Sequence, residues 1–417
     1  PWTSPVTGAL VQRLAGLCAV ADWLGSNVEH FPYAQGPIVN LEVYWNAAKE
    51  RAAHACHEAG PLRATAASLA FRSLFPGYAP RDVQLLTEQV TCDEPALIVI
   101  EAEMGKGKTE AALAVAARFL AANHGDGITI SLPTMATSNA MFGRVEETVT
   151  RLFPSQPVQL SLAHGRAQRH HGFQAVIGRA LHDPDATEAS VACARWLLNK
   201  KRVLLAQVGV GTIDQALQAG LVVRHQFVRM FGLSRNVIII DEVHAYDAYM
   251  EVLLEHLLSW LGALHVPVIL LSATLPSERR AALARSWLSG SLGPCHEDGG
   301  KTQEADPLSV AEQRPYPLVS VTSPTRSFAL ASEATTEPRR VLIEYSTANA
   351  DDEAHAKTVA ARLVAVARDG GRVVWIRNTV SEAQHAYRAV ESLGDGVEHL
   401  LFHARFRGCD RTRIENH

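Results

Sequence analysis

The chain has 417 residues, 47% of them apolar, and a formal net charge of −4. That length leaves room for two to three domains with buried cores, and the mild acidity excludes a protein that holds nucleic acid through a global basic field. No apolar run approaches the roughly 18 residues of a membrane span, no signal peptide is visible, and six scattered cysteines without a CxxC pair speak against a disulfide framework or a zinc finger, so a reducing cytoplasm is the expected location.

The first helical run contains LAGLCAVADWLGSN (14–27). A connecting stretch follows over 31–94, punctuated by Phe31-Pro32, Gly60-Pro61 and Phe75-Pro76-Gly77, with Ala-rich helical runs between. The segment EAEMGKGKT (101–109) then lies between an apolar strand (Ala96–Ile100) and an Ala-rich helix (Glu110–Leu120). Glu103, Met104, Gly105, Lys106, Gly107, Lys108 and Thr109 read as a loop that wraps a triphosphate with backbone N–H groups, the glycines keeping side chains out of the way. Lys108 would bridge the β- and γ-phosphates, Thr109 would ligate Mg²⁺, and the helix N-terminus faces the same charge. The usual opening glycine is replaced by Ala102, which the turn tolerates if its φ is negative.

Further on, Pro133-Thr134 follows a strand over Ile128–Leu132, and Gly211-Thr212-Ile213-Asp214 precedes a helix. Both place hydroxyls and N–H groups at element ends, where the phosphates of single-stranded DNA can be held. Four apolar residues, Val237–Ile240, deliver Asp241 to the end of a buried strand, where it would hold Mg²⁺ opposite Thr109 while Glu242 orients or deprotonates the lytic water. His244 is the expected link from the γ-phosphate to a second lobe, and Ser272-Ala273-Thr274, after the strand Val266–Leu271, would couple hydrolysis to DNA contact through Ser272 and Thr274. The order of these segments along one chain is that of a superfamily 2 helicase lobe.

A polar stretch over 289–315 reads as a linker. From residue 339 the alternation resumes: VLIEYS as strand, a helix over 353–368, VVWIR as strand, a helix over 381–393, and HLLFH as strand. Strands alternating with helices predict an α/β fold with a parallel sheet covered on both faces. Without bulk basicity, DNA contact falls to local clusters: Lys200-Lys201-Arg202, Arg166 and Arg169, and the arginines at 405, 407, 411 and 413. His170-His171 reads as a surface loop near DNA.

GTIDQAL (211–217), IIIDEVHAYDAYM (238–250) and LLSATLP (270–276) resemble the CRISPR-associated helicase–nuclease family of type I interference. IRNTVSEAQ (376–384) and LLFHARFRGCDRTRIE (400–415) resemble the start of that family's second lobe. The resemblance implies a RecA-like P-loop motor lobe at 95–290, a linker at 291–338 and a partial second RecA-like lobe at 339–417. It also makes 31–94 a helical segment carrying the adenine-reading motif APRDVQ (79–84), with Gln84 meeting the base and Arg81 beside it. Residues 1–30 become a helical remnant of a His-Asp nuclease domain, with Asp22 as its last metal ligand. Implied too are ATP and Mg²⁺, a divalent transition metal in the nuclease domain, single-stranded DNA moved 3′ to 5′, and recruitment by the Cascade complex. The other nuclease ligands and the arginine motif of the second lobe are expected outside this chain, which should therefore bind nucleotide but turn it over slowly; a monomer is expected. The alternatives are another DExH-type helicase or a nucleotide-gated nucleic-acid binding module.

Overall fold

The computed structural model describes residues 5–33, 36–60, 66–67, 70–154, 158–165, 167, 170–182, 191–199, 201–293, 316–332, 342–345, 353–393, 396–407, 410 and 413–414. The chain divides into two compact units, Pro1–Thr336 and Glu337–His417. In the first, helices α1 (Pro5–Gly25), α2 (Leu41–Ala59), α3 (Phe71–Leu74) and α4 (Asp82–Glu88) precede the sheet. The strands are β1 (Leu97–Glu101), β2 (Gly127–Leu132), β3 (Val158–Ala163), β4 (Val191–Ala192), β5 (Val208–Thr212), β6 (Asn236–Ile240), β7 (Val268–Ser272), β8 (Leu318–Thr322) and β9 (Ser327–Ala331). Between them run α5 (Lys108–Ala121), α6 (Met135–Leu152), α7 (His171–His182), α8 (Ile213–Leu217), α9 (Gln226–Leu233), α10 (Ala248–Ala263) and α11 (Ser277–Leu292).

The strands form one sheet in the order β4-β3-β5-β2-β6-β7-β1-β8-β9. Every pairing from β4 to β1 is parallel, and β8 and β9 add on antiparallel. The central strands LIVIE, NVIII and VILLS are buried at every position, as continuous apolar runs should be when helices cover both faces. Alternation decides which face each residue serves: Ile98 and Ile100 pack with the Ala-rich side of α5, while Leu97 and Val99 join the core shared with α10 and α11.

The expected parallel sheet is thus present, with two differences in extent. Part of the stretch read as a linker, residues 318–331, forms two strands of the same sheet. Its apolar alternation is short and follows a polar run, so it carries little local signal. The rest of that polar run, from 294 to 315, lies outside the described residues. Residues 1–30 and 31–94 belong to the same unit as the sheet: α1 lies so close to α9 that a Cβ on Gly16 would sit 2.4 Å from the Phe227 carbonyl.

In the second unit the two expected helices form as Glu353–Arg368 and Val380–Glu391, the latter with a capping box from Thr379 and Glu382. The three expected strands do not. Among the described residues, 342–345, 373–377 and 399–403 run as irregular chain and enter no sheet ladder, and Leu342, Tyr345, Val374 and Ile376 are exposed. A strand exists only where a second one takes its N–H and C=O groups, so apolar alternation alone does not make it.

Helices α10 and α11 cross closely because each presents a glycine to the other's backbone. A Cβ on Gly262 would lie 2.0 Å from the Trp287 carbonyl oxygen, and one on Gly290 would lie 1.9 Å from that of Ser259. Alanine in place of Gly262 gains up to about 1 kcal/mol of helix propensity but forces two backbones apart, which costs about 1–3 kcal/mol or more. Gly262→Ala should therefore lower the urea midpoint of unfolding. An unchanged or raised midpoint would show that this crossing is slack.

Candidate nucleotide site at the carboxyl edge of the sheet

All parallel strands end on one edge, and their registers align those ends. Leu132 pairs with Thr212, Ser131 with Ile240, Ile240 with Leu270, and Glu101 with Ser272. The residues that follow, Ala102, Pro133, Asp241 and Ala273, therefore emerge in one row with Thr212–Ile213. Only β7 separates β6 from β1, so the acidic pair and the glycine loop stand two strand spacings apart, about 10 Å. That gap suits a pair of phosphates and one metal ion.

Gly105 and Gly107 have φ values of 74° and 86°, the left-handed region the loop needs. Ala102 is absent from the positive-φ residues and is 1% exposed, so the missing opening glycine costs nothing here. Lys108, the first residue of α5, is 7% exposed and donates to the carbonyls of Ala102 at 2.7 Å and Glu103 at 3.3 Å. Burial pulls its pKa down, and the charges of Glu242 and Asp241 pull it back up. Thr109 is half-buried beside it, Met104 is largely exposed, and Lys106 pairs with Glu103 at 3.7 Å.

Asp241 is 9% exposed, its N–H donates to Ser131 O at 2.9 Å, and its Oδ1 accepts from the Glu242 N–H at 2.8 Å. Burial, and next the Glu242 charge, push its carboxyl above the usual range; that N–H, Lys108 and Arg144 act in the opposite sense. Glu242 sits at φ 54°, ψ 42°, a conformation that costs a residue with a Cβ about 1–2 kcal/mol. Its Oε2 is buried and accepts no hydrogen bond, and it lies 3.3 Å from His244 Nδ1. His244 Nδ1 also lies 3.3 Å from Ser272 Oγ and 3.4 Å from the Ala273 N–H that it accepts. A ring nitrogen that accepts from Ala273 cannot donate to Glu242, which is why that oxygen stays unsatisfied. Ser272 Oγ donates to Thr274 O at 2.8 Å. His244 thus joins the acidic pair to the Ser-Ala-Thr segment inside the first unit.

Lys108, Thr109, Asp241 and Glu242 line one cavity of about 410 Å³, together with Arg81, Gln84, Gly105, Gly107, Pro133 and Arg144. The expected cradle and acidic pair do share a space. Gln84 is 4% exposed rather than a free surface residue, and its amide is already engaged: Nε2 donates to Gly107 O at 3.1 Å, and Oε1 accepts from the Arg81 N–H at 2.8 Å. Arg81 donates to Gly105 O. In this structure both residues hold the loop itself. A Cβ on Gly107 would lie 2.1 Å from Gln84 Nε2, so that glycine also makes room for the brace.

Of the expected DNA contacts, Thr134 is exposed and caps α6, accepting from the Thr137 N–H at 3.2 Å. Thr212 is 7% exposed, and a Cβ on Gly211 would lie 2.6 Å from the Ala163 carbonyl oxygen, so strand packing explains that glycine. Arg202 is not a free cation: its guanidinium lies over Trp23 at 5.1 Å and Trp196 at 4.6 Å. His170, in the loop just before α7, accepts from the Phe173 N–H at 3.2 Å and meets the Phe142 ring, so it braces the start of that helix. Arg407 and Arg413 both pair with Asp410, at 2.9 and 3.9 Å, while Arg405 is exposed. Arg166, Arg169, Lys200 and Arg411 lie outside the described residues. Asp22 is exposed on α1 and belongs to no group of three potential metal ligands among the described residues.

Two features had no local signal. Glu101, 4% exposed at the end of β1, pairs with Arg280 of α11 at 2.6 Å and accepts from the Leu275 N–H at 3.0 Å, so a buried carboxylate ties α11 and the residue just after Ser-Ala-Thr to the strand that carries the glycine loop. Arg144 of α6 pairs with Glu110 in the first turn of α5 and so stands at the cavity wall.

The donor set fits a hard divalent cation: an aspartate carboxylate, a threonine hydroxyl and a neighbouring glutamate oxygen with no partner. An acid whose pKa is raised on folding destabilises the fold in full above its folded pKa, and the penalty shrinks as pH falls between the folded and unfolded values and is gone below the unfolded one. Asp241→Asn keeps the oxygen that accepts from Glu242 and removes the charge. The nucleotide-free variant should melt at a higher temperature than the parent at neutral pH, with the gap closing as pH is lowered into the carboxylate range. A lower melting point at neutral pH would mean that the carboxylate is compensated by something other than a bound cation.

Known proteins resemble this chain over nearly its whole length. The family model described as DEAD/DEAH box helicase matches residues 82–282, and that described as CRISPR-associated nuclease/helicase Cas3, C-terminal, matches residues 369–417. The CRISPR-associated endonuclease/helicase Cas3 of Escherichia coli (strain K12) is 36% identical over 413 residues, covering 97% of this chain and 44% of its own length. The crystal structure of T. fusca Cas3 superposes with a TM-score of 0.82 at 30% identity, covering 99% of this chain and 46% of that one. The structure titled T. fusca Cas3-AMPPNP gives a TM-score of 0.81 at 30% identity with the same coverage. The chain spans less than half the length of these relatives. A glycine loop and a DEVH strand end facing one cavity, followed by a segment of the Cas3 C-terminal type, place it: the chain belongs to the Cas3 family of CRISPR-associated nuclease–helicases.

Proposed function

We propose that this chain is the motor portion of an ATP-dependent helicase that translocates 3′ to 5′ on single-stranded DNA in type I CRISPR interference. The observation that carries the reading is the shared cavity: Lys108 and Thr109 on one wall, Asp241 and Glu242 on the other, in a member of the Cas3 family. The structural relative titled with AMPPNP supports a nucleotide in such a cavity.

In this reading Lys108 leaves the carbonyls of Ala102 and Glu103 for the β- and γ-phosphates, and the N–H groups of 105–109 take the remaining oxygens. Thr109 and Asp241 would hold Mg²⁺, which when bound neutralises charge on the transferred phosphoryl group. Glu242, with its unsatisfied oxygen, positions and deprotonates the attacking water. His244 passes the change to the Ser-Ala-Thr segment through the Ala273 N–H that its Nδ1 accepts at 3.4 Å. Gln84 and Arg81 brace the loop and read the adenine edge. Thr134 and the Gly211-Thr212 segment, at adjoining strand ends, would touch the DNA backbone. Asp22 would serve as the last ligand of the nuclease metal in the longer protein, and Cascade is the complex that delivers the substrate. The working unit is a single copy.

The variants separate binding from turnover. Lys108→Ala should abolish ATP-dependent unwinding by the full-length parent, whereas Glu242→Gln should bind ATP normally and lower DNA-stimulated hydrolysis by at least about 10²-fold, the range of a lost general base. Unwinding retained in Lys108→Ala, or turnover retained in Glu242→Gln, would refute the assignment.

A further inference from the structure

We propose that His30, His54 and Glu58 form a binding site for one divalent transition-metal ion of the zinc class. The three residues stand apart from the nucleotide cavity, and Asp22 is not among them. His54 and Glu58 are one turn apart on the same face of α2, and His30 comes from the turn that follows α1, its N–H bonded to Asn27 O at 3.1 Å. The Glu58 carboxylate lies between the two rings: Oε2 is 3.2 Å from His30 Nδ1, and Oε1 is 3.7 Å from His54 Nε2. All three donor atoms lie within 4.8 Å of one another, and the rings meet edge to face with centroids 6.4 Å apart.

Tetrahedral zinc, with bonds of about 2.0–2.2 Å, spaces its ligand atoms roughly 3.3 Å apart. The observed separations bracket that value, so modest side-chain rotation would close the set on an ion without moving the backbone. Two imidazoles and one carboxylate select a zinc-class ion over Mg²⁺ or Ca²⁺, which prefer oxygen alone. An ion-pair reading explains less: exposed pairs are worth little, and one carboxylate gains nothing from a second imidazole held against it. The frame is firm, because Asn40 caps α2 at its start through the N–H groups of Glu42 and Val43, and Gly60 closes it at φ 72°. His54 and Glu58 are 68% and 51% exposed, which leaves the fourth position to water. A bound ion would pin the end of α1 to α2 and close the loop between residues 30 and 54.

The test is titration of the nucleotide-free, chelator-treated 417-residue chain, with Zn²⁺ followed by calorimetry and Co²⁺ by visible absorption. One equivalent should bind, with the Co²⁺ bands of tetrahedral coordination. His54→Ala and Glu58→Ala should each weaken it at least tenfold. His57→Ala, exposed on the same helix and outside the group, should bind as the parent does. The two ligand variants alter exposed side chains, so circular dichroism should show them folded. The proposal is overturned if no stoichiometric uptake occurs, if bound Co²⁺ is octahedral, or if His54→Ala titrates like the parent.

Discussion

A lysine 7% exposed and an aspartate 9% exposed stand at the ends of two strands, neither with a salt bridge to the other's side chain, each shifting the other's ionisation through space. Two burdens follow from that arrangement. Lys108 spends its protons on backbone carbonyls, and Asp241 is raised by burial and by the like charge of Glu242. Bringing a phosphate to the first and a cation to the second would relieve both. The rest of the unit is built to keep these two groups facing each other.

The means is register. Parallel strands end together, and the order β6-β7-β1 fixes the acidic pair, the Ser-Ala-Thr segment and the glycine loop side by side. Glu101 holds the end of that middle segment against the loop's own strand through the Leu275 N–H, while its ion pair with Arg280 anchors α11 to the same strand from within the core. A buried pair of this kind is weak evidence of stability but good evidence of position, since breaking it leaves an uncompensated charge. The positive φ of Glu242 belongs to the same design: strain of this sort persists where surrounding structure over-determines it, often at a site that acts.

The parts legible in the sequence were those with a local physical signature. Runs such as NVIII and VILLS announce strands buried on both faces, and two glycines before a Lys-Thr announce a loop that must approach an anion. What stayed hidden depends on partners far along the chain. Glu101 and Arg280 are 179 residues apart, and nothing near either names the other. Arg202 looks like a bare cation until Trp23 and Trp196 close on it, and nothing near Gln84 in the sequence announces that its amide also braces the glycine loop. Strands β8 and β9 were obscured by the polar run before them. In the second unit the error ran the other way, with apolar alternation at 342–345 and 373–377 that forms no strand among the described residues.

The central claim is that Thr109 and Asp241 act on one and the same ion. A double-mutant cycle with Thr109→Ala and Asp241→Asn, read as Mg²⁺-dependent ATP affinity, addresses it directly. Two ligands of a shared ion should show a coupling energy of about 0.5–3 kcal/mol. Additivity to within about 0.3–0.5 kcal/mol would mean that they bind separately, and the account would fail.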